Sequence, residues 1–551
     1  MWACVVQAQP LPTPFEPGRP SERPLPEPPP DRPAPELVLP PIPPPAADPP
    51  LSSGVRVRVA RFRIVGNTVF SEDELRALIV GYEGREIGNE ELEEARATLT
   101  RHYISRGYIN SGAVIPDQQV RDGVITLRII EGRLVDIAVG GENRFHPDFV
   151  RGRLQPPKDE PLNVTRLQEQ VQLLLQNPQI ERVNAELSPG LRPGEAILGV
   201  DLKEAPWREI GYALANNRSP AIGGVRHELR AALRNLSGRG EELSLIAGTT
   251  KGQDDLALML AVPVSARDTA IWLRFEDNNA AVISGPLDFL GIEARSDSAE
   301  IGIRHPFVRT LNRELALSAS LFRRNTETTF TFGDVVAGFP APGAENGRIR
   351  VAALRVAGDL LDRSTEQVSA GRLSATQSID AFGSTHPPFF VLLAQLQRVQ
   401  RFAQGRGQLL ARFDLQAAFD PLPPSEKFSL GGAESVRGYR EDLLVRDSGW
   451  NASLEYRHRL SRLPLNLFGG SAEDGWVSAV PFIDAGQAKD REGSTPAPHT
   501  LSSIGLGVRW DIARGVQMAV YRGWPLREVE TQSDDLQDRG VHYRLSVQKA
   551  F

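Results

Sequence analysis

Arg437 stands between Val436 and the pair Gly438-Tyr439, inside the stretch GGAESVRGYRED of residues 431–442. That stretch is too small and polar to be core and reads as a loop. Arginine carries an always-charged planar fork that binds a carboxylate through two hydrogen bonds, and Gly438 permits a tight turn beside it. A candidate partner lies downstream in FIDAG, residues 482–486, where Phe482, Asp484 and Gly486 fall at two-residue steps on one face of an alternating strand. The chemistry available to such residues is recognition and positioning. From spacing alone, a surface arginine and an unrelated strand aspartate explain the two motifs better than a pair does.

Signatures of catalysis are missing. There is no GxxxxGK[ST], no HExxH, no GxSxG and no paired CxxC. The eight histidines are scattered. His227 lacks a second histidine four residues on and reads as a strand-face residue; His102 reads as a packing residue of a helix. No catalytic residue, metal ligand or cofactor site is therefore expected, and nothing in the chain couples nucleotide hydrolysis to work.

Composition narrows the class. The 551 residues carry a net charge of -6, with 24% charged and 40% hydrophobic residues. No basic stripe points to nucleic acid. No run of about 18 apolar residues points to a helical membrane span, although a transmembrane β-strand needs only about 9–11 alternating residues and escapes such a scan. The single cysteine, Cys4, excludes an intrachain disulfide. The first ten residues, MWACVVQAQP, read as the end of a secretory signal whose body lies upstream. Of the 44 prolines, 19 fall in the first 50 residues. That tract cannot form a packed core and favours extended polyproline II. Residues 1–53 are thus expected to be a signal remnant and proline-rich linker.

From residue 54 the pattern changes. VRVRVARFRIVGN alternates as a half-buried strand. In SEDELRALIVGY, Ser71 and Glu74 form a capping box, and Leu75, Leu78, Ile79 and Tyr82 share a helical face. A second helix begins near Asn89, with Leu92, Ala95, Leu99 and Tyr103 on one side and Gly107 at its end. Two strands, SGAVIPDQQV and GVITLRIIEG, close the unit around a turn at residues 121–123. The order β-α-α-β-β over residues 54–133 returns over residues 134–205, with helical patterning at 147–154 and 164–175.

Residues 206–551 contain no helical pattern. Short alternating strands such as TAIWLRFED and NASLEYRHRL follow one another between turn signals. At roughly 20 residues per strand and connection, the region predicts a transmembrane antiparallel β-barrel of about 16 strands, lipid-facing outside and wet inside. An aspartate on the lipid face would be costly, so the Asp484 face is expected to line the lumen. The final strand places Tyr543, Leu545 and Val547 at two-residue steps before Phe551. Such an alternating, aromatic-ended strand is expected to be the insertion signal read by the barrel assembly machinery.

Two β-α-α-β-β modules before a barrel resemble POTRA domains. The stretch of residues 422–457, with SEKFSLGGAESVRGY at its centre, resembles the signature of two-partner secretion transporters, the hemolysin secretion/activation (TpsB) family. FIDAG resembles that family's second barrel motif. The resemblance spans about residues 55–551. It implies a protein translocase of the bacterial outer membrane, with its POTRA domains in the periplasm. It implies a loop folded back into the barrel, with Arg437 against Asp484. The partner implied is an unfolded exoprotein with an N-terminal secretion domain, of hemolysin or adhesin type, and the surroundings are outer-membrane lipid. Extended cargo could add to a POTRA sheet edge; the expected receivers are the strand at Val124–Ile130 and the face of the second helix. Some relatives plug the barrel with an N-terminal helix, whereas the proline tract here reads as non-helical. Two other readings stand beside export: an assembly factor that inserts other barrels, and a passive solute channel.

Overall fold

The strand patterning near residue 57 contains a change of phase. Val57 and Val59 are the apolar positions at first, then Phe62 and Ile64. The computed structural model places a break at Ala60, between the strands Val57–Val59 and Arg61–Val65. It describes residues 37–38 and 56–551, apart from 159, 342, 403–404, 466–473 and 530–534. The expected signal remnant and proline-rich linker, residues 1–53, lie outside the described residues except for Leu37–Val38.

In the first module, Val57–Val59 pairs with Arg85–Ile87, while Arg61–Val65, Val124–Ile130 and Gly112–Val114 form a three-stranded sheet. Helices α1 (Glu72–Ile79) and α2 (Asn89–Ser105) cover it. Ser71 Oγ accepts from the Glu74 amide at 3.1 Å, capping α1. Leu75 and Ile79 of α1 and Ala95, Leu99 and Tyr103 of α2 are buried against Phe62, Ile125 and Leu127. The expected strand over SGAVIPDQQV shortens to Gly112–Val114, because Pro116 has no amide to donate to a ladder. Gln118 takes over the pairing: its Nε2 donates to the Thr126 carbonyl at 2.8 Å and its Oε1 accepts the Thr126 amide at 2.7 Å.

Glu131 fixes the turn ahead of α1. It accepts the amides of Thr68 (2.7 Å) and Val69 (2.9 Å) and the Tyr103 hydroxyl (2.9 Å). Burial pushes this carboxyl up, but the Thr68 hydroxyl, which donates to Glu131 Oε2, together with those amides and Tyr103 outweighs it and holds the group below its ordinary 4.5. A carboxylate held low stabilises the fold above its unfolded value and loses that contribution as pH falls through the folded value. Glu131→Gln is therefore expected to destabilise the module by about 1–2 kcal/mol near neutral pH. Variant and parent converge well below 4.5. Thermal melts of the 54–205 segment at both pH values check this.

The second module repeats the order. Strand Arg133–Gly140 is followed by α3 (Pro147–Leu154), α4 (Val164–Leu175) and the strands Ile180–Pro189 and Glu195–Glu204. Its core includes Ile137, Leu154, Leu167, Val171, Leu174 and Leu198. Asn163 caps α4 through the Thr165 amide and donates to the Arg106 carbonyl of the first module at 3.0 Å. Asn110 donates to the Gly194 carbonyl at 2.8 Å, so side-chain amides tie the two modules together.

The sheets correct one expectation. Val124–Ile130 lies between two partners and offers no open edge. In each module it is the middle strand of the sequence order that ends up at the edge: Gly112–Val114 in the first and Ile180–Pro189 in the second. On the latter edge Leu37–Val38 pairs in parallel, with Leu37 opposite Ala185.

Among the described residues, sixteen strands close the barrel, and a short extra strand, Val335–Gly338, pairs only with the end of Arg313–Phe332. They are β1 (Arg208–Ala215), β2 (Arg226–Arg234), β3 (Glu242–Thr249), β4 (Gln253–Pro263), β5 (Ala270–Ala281), β6 (Glu293–Arg309), β7 (Arg313–Phe332), β8 (Arg348–Arg363), β9 (Gln367–Ser378), β10 (Phe390–Phe402), β11 (Gly407–Ala418), β12 (Ser448–Arg462), β13 (Trp476–Lys489), β14 (Thr500–Ala513), β15 (Val516–Pro525) and β16 (Val541–Ala550). Each pairs antiparallel with the next, and β1 pairs with β16 from Glu209↔Ala550 to Ala215↔Arg544. The alternation is inside out relative to a soluble protein. Ile271, Leu273 and Phe275 of β5 and Leu354 and Val356 of β8 are exposed, while Glu228, Arg234, Arg355 and Glu455 are buried. Apolar outside and charged inside is the arrangement a lipid surround stabilises.

Candidate functional site

The connection between β11 and β12, residues 419–447, does not stay outside. It forms a hairpin of Phe428–Leu430 against Leu444–Arg446. The turn beyond runs through Gly431, Gly432 and Gly438 at φ of 110°, 112° and 104°, a region that favours glycine. Ser435 accepts the Gly431 amide at 2.9 Å and Glu441 accepts the Ala433 amide at 2.6 Å, so the turn is braced by its own side chains. Val436 is fully buried with Phe428, Leu430, Tyr439, Leu444, Ala488 and Leu501. This apolar plug within a polar lumen holds the tip in place.

Arg437 leaves that tip and meets the barrel wall. Its Nε donates to Asp484 Oδ2 at 2.8 Å, and its Nη2 donates to Oδ1 at 2.9 Å. The Arg437 amide also donates to Oδ2 at 3.0 Å. Nη1 donates to Glu455 Oε2 of β12 at 2.5 Å, and Ser453 Oγ accepts from Nη2 at 3.1 Å. Arg457 closes the group by donating to Glu455 Oε1 at 2.6 Å. Two arginines therefore face two carboxylates and the charges balance. Balance matters because Arg437 is 5% exposed and Asp484 0%; a lone charge so desolvated costs several kcal/mol by order of magnitude. The guanidinium also sits 3.7 Å from the Phe482 ring centroid, a cation–π contact.

Phe482, Asp484 and Gly486 face the lumen together, and Ile483 between them faces outward. Gly486 leaves room for the loop: a β-carbon there would lie 2.5 Å from Leu430 Cδ1. Tyr439 Oη bonds the carbonyls of Ser502 and Arg527, at 3.0 and 2.9 Å. Arg440 grips Asp538 through both carboxylate oxygens, at 2.7 and 2.6 Å. Gln537, fully buried, accepts the Glu441 amide at 2.9 Å and donates to Asn216 and Arg218 carbonyls beside β1.

The residues named at the C-terminal strand lie elsewhere. Leu545 and Val547 pair with Leu214 and Tyr212 along the β1–β16 seam, Tyr543 donates its amide to Asn216 Oδ1 at 2.7 Å, and Phe551 is half exposed beside Arg208. His227 sits against the Tyr212 hydroxyl at 2.7 Å on the outer surface. Sequence reasoning missed Glu455, Ser453 and Gly523. Glu455 was the most accessible of these, since it alternates with outward Leu454 and Tyr456 in NASLEYRHRL.

A barrel loop locked to its wall by an arginine, in a chain that also carries two β-α-α-β-β modules, directs comparison to known transporters. The family profile of the haemolysin secretion/activation protein ShlB/FhaC/HecB matches residues 194–510, more than half of the chain.

The chain belongs to this family.

The profile of the ShlB-type POTRA domain matches residues 57–132. The outer membrane transporter CdiB of Dickeya dadantii is 22% identical over 501 residues, covering 84% of this chain and 81% of that one. The hemolysin transporter protein ShlB of Serratia marcescens is 24% identical over 510 residues, covering 87% and 84%. Among solved structures, CdiB from Escherichia coli superposes with a TM-score of 0.65 at 19% identity, over 92% of each chain. This ShlB-family chain is an outer-membrane transporter of the two-partner secretion type, with its POTRA region in the periplasm, and it is not an enzyme.

Proposed function

We propose that this ShlB-family transporter exports one partner exoprotein of hemolysin or adhesin type, delivered unfolded with an N-terminal secretion domain. Both modules at residues 54–205 act as POTRA domains that hold this segment in the periplasm. The receiving edges are Gly112–Val114 and Ile180–Pro189, and the second already pairs with the extended Leu37–Val38. Backbone pairing of this kind recognises an extended chain without demanding a fixed sequence. The observation that carries the reading is the Arg437–Asp484–Glu455 lock. It puts a long loop inside the lumen and holds it through one arginine that spans two wall carboxylates, which supports a conduit with a defined closed arrangement. The cargo's folding outside supplies direction.

The test is capture of the purified N-terminal domain of a large secreted protein, encoded beside this chain, by the 54–205 segment. Saturable binding is expected. Competition by an extended peptide that pairs with Ile180–Pro189 should weaken it, and no binding at all would remove the proposed recognition step.

A further inference from the structure

The same loop meets the barrel wall at another place with the charges reversed. Glu426 lies eleven positions before Arg437, in the short turn Pro424–Glu426, and is 1% exposed. Arg324 of β7 donates to Glu426 Oε1 at 2.7 Å through Nη1, and Arg355 of β8 brings Nη2 to within 4.0 Å of Oε2. Gln416 of β11 donates to the Glu426 carbonyl at 2.8 Å, fixing its backbone. Arg355 is itself held by Thr376 at 3.1 Å and faces Glu300 at 3.6 Å. Here the loop supplies the carboxylate and the wall supplies arginines; at Arg437 the wall supplies carboxylates. The two wall sites, β7–β8 and β12–β13, are five strands apart around the barrel. Of the hairpin, Phe428–Leu430 lies between Glu426 and Arg437 in the chain and Leu444–Arg446 follows Arg437.

We propose that Glu426 is a positioning residue: a second anchor, of reversed polarity, that makes the segment from 426 to 437 a strap fixed at both ends within the lumen. Without Glu426, the arm before the hairpin could leave the β7–β8 wall while the tip stays on Arg437, Tyr439 and Arg440. With it, the closed arrangement persists at both ends of the segment until both ion pairs separate. Reversed polarity also fixes direction, since neither end can dock at the other's site without placing like charges together. The inference rests on the barrel being a conduit, and it does not depend on which exoprotein passes.

The test is conductance of the purified full chain in planar lipid bilayers, with no cargo present. The variants are Glu426→Gln, Arg324→Gln and the pair together, with heat-dependent gel mobility confirming a folded barrel. Losing one charge-assisted hydrogen bond should raise the fraction of time in the high-conductance state by about tenfold in each single variant. The double variant, neutral on both sides, should show less than the combined effect. Arg324→Gln carries the test alone should Glu426→Gln fail to fold. Folded variants with parental conductance, or effects that combine independently, would overturn the second anchor. Failed export by the parent chain would instead count against the proposed function, because this readout needs no cargo.

Discussion

Arg437→Ala is expected to free the tip of the 431–442 turn from the β12–β13 wall and to cut partner export sharply while the barrel still folds. The substitution leaves Asp484 and Glu455 desolvated without their shared cation. Breaking a buried pair from one side costs about 3–5 kcal/mol. Arg437→Lys should rescue little, because an ammonium cannot reproduce the fork that reaches Asp484, Glu455 and Ser453 together. Combining Arg437→Ala with Asp484→Ala should lower export no further than Arg437→Ala alone. Export measured in the medium, beside gel mobility of the folded barrel, checks this; losses that simply add would argue against a direct pair.

Gly523→Ala is expected to do nearly as much from a position that carries no charge. Gly523 lies on β15 with the loop tip against it. A β-carbon there would lie 2.5 Å from the Gly438 nitrogen and 2.7 Å from the Arg437 carbonyl carbon. Those are backbone atoms and cannot turn aside as a side chain can. Overpacking of this sort costs about 1–3 kcal/mol, and here the strain falls on the peptide that aims Arg437. Export should drop by about tenfold or more, with the barrel intact. Leu506→Ala on the neighbouring strand, whose side chain is exposed on the outer surface, should leave export near the parental level and serves as the control.

Local pattern made much of this molecule legible. Ser71 with Glu74, the α2 face of Ala95, Leu99 and Tyr103, and the strand parity of Phe482, Asp484 and Gly486 all follow from fixed repeats of 3.6 and 2 residues. What stayed hidden is what sequence distance hides. Val124–Ile130 was expected to receive cargo at an open edge, yet it pairs on both sides; strand order in a sheet is set by the crossover, which the alternation does not encode. Glu455 and Ser453 lie 18 and 16 positions beyond Arg437, inside an ordinary alternating strand, and nothing local marks them as its partners. Gly523 carries no signal either, since its role is to leave space for a loop more than 80 residues earlier. The break at Ala60 was written in the phase change from Val59 to Phe62, a cue that continuous apolar content obscures.

The most direct measurement is export of the partner exoprotein by cells in which this chain is deleted and then restored as parent or as Arg437→Ala. The parent should release the exoprotein to the medium. The deletion and the variant should trap it in the periplasm, while the abundance of other outer-membrane barrels stays unchanged. Undiminished release without the chain, or a general loss of other barrels in its place, would contradict a dedicated translocase closed by the Arg437 lock.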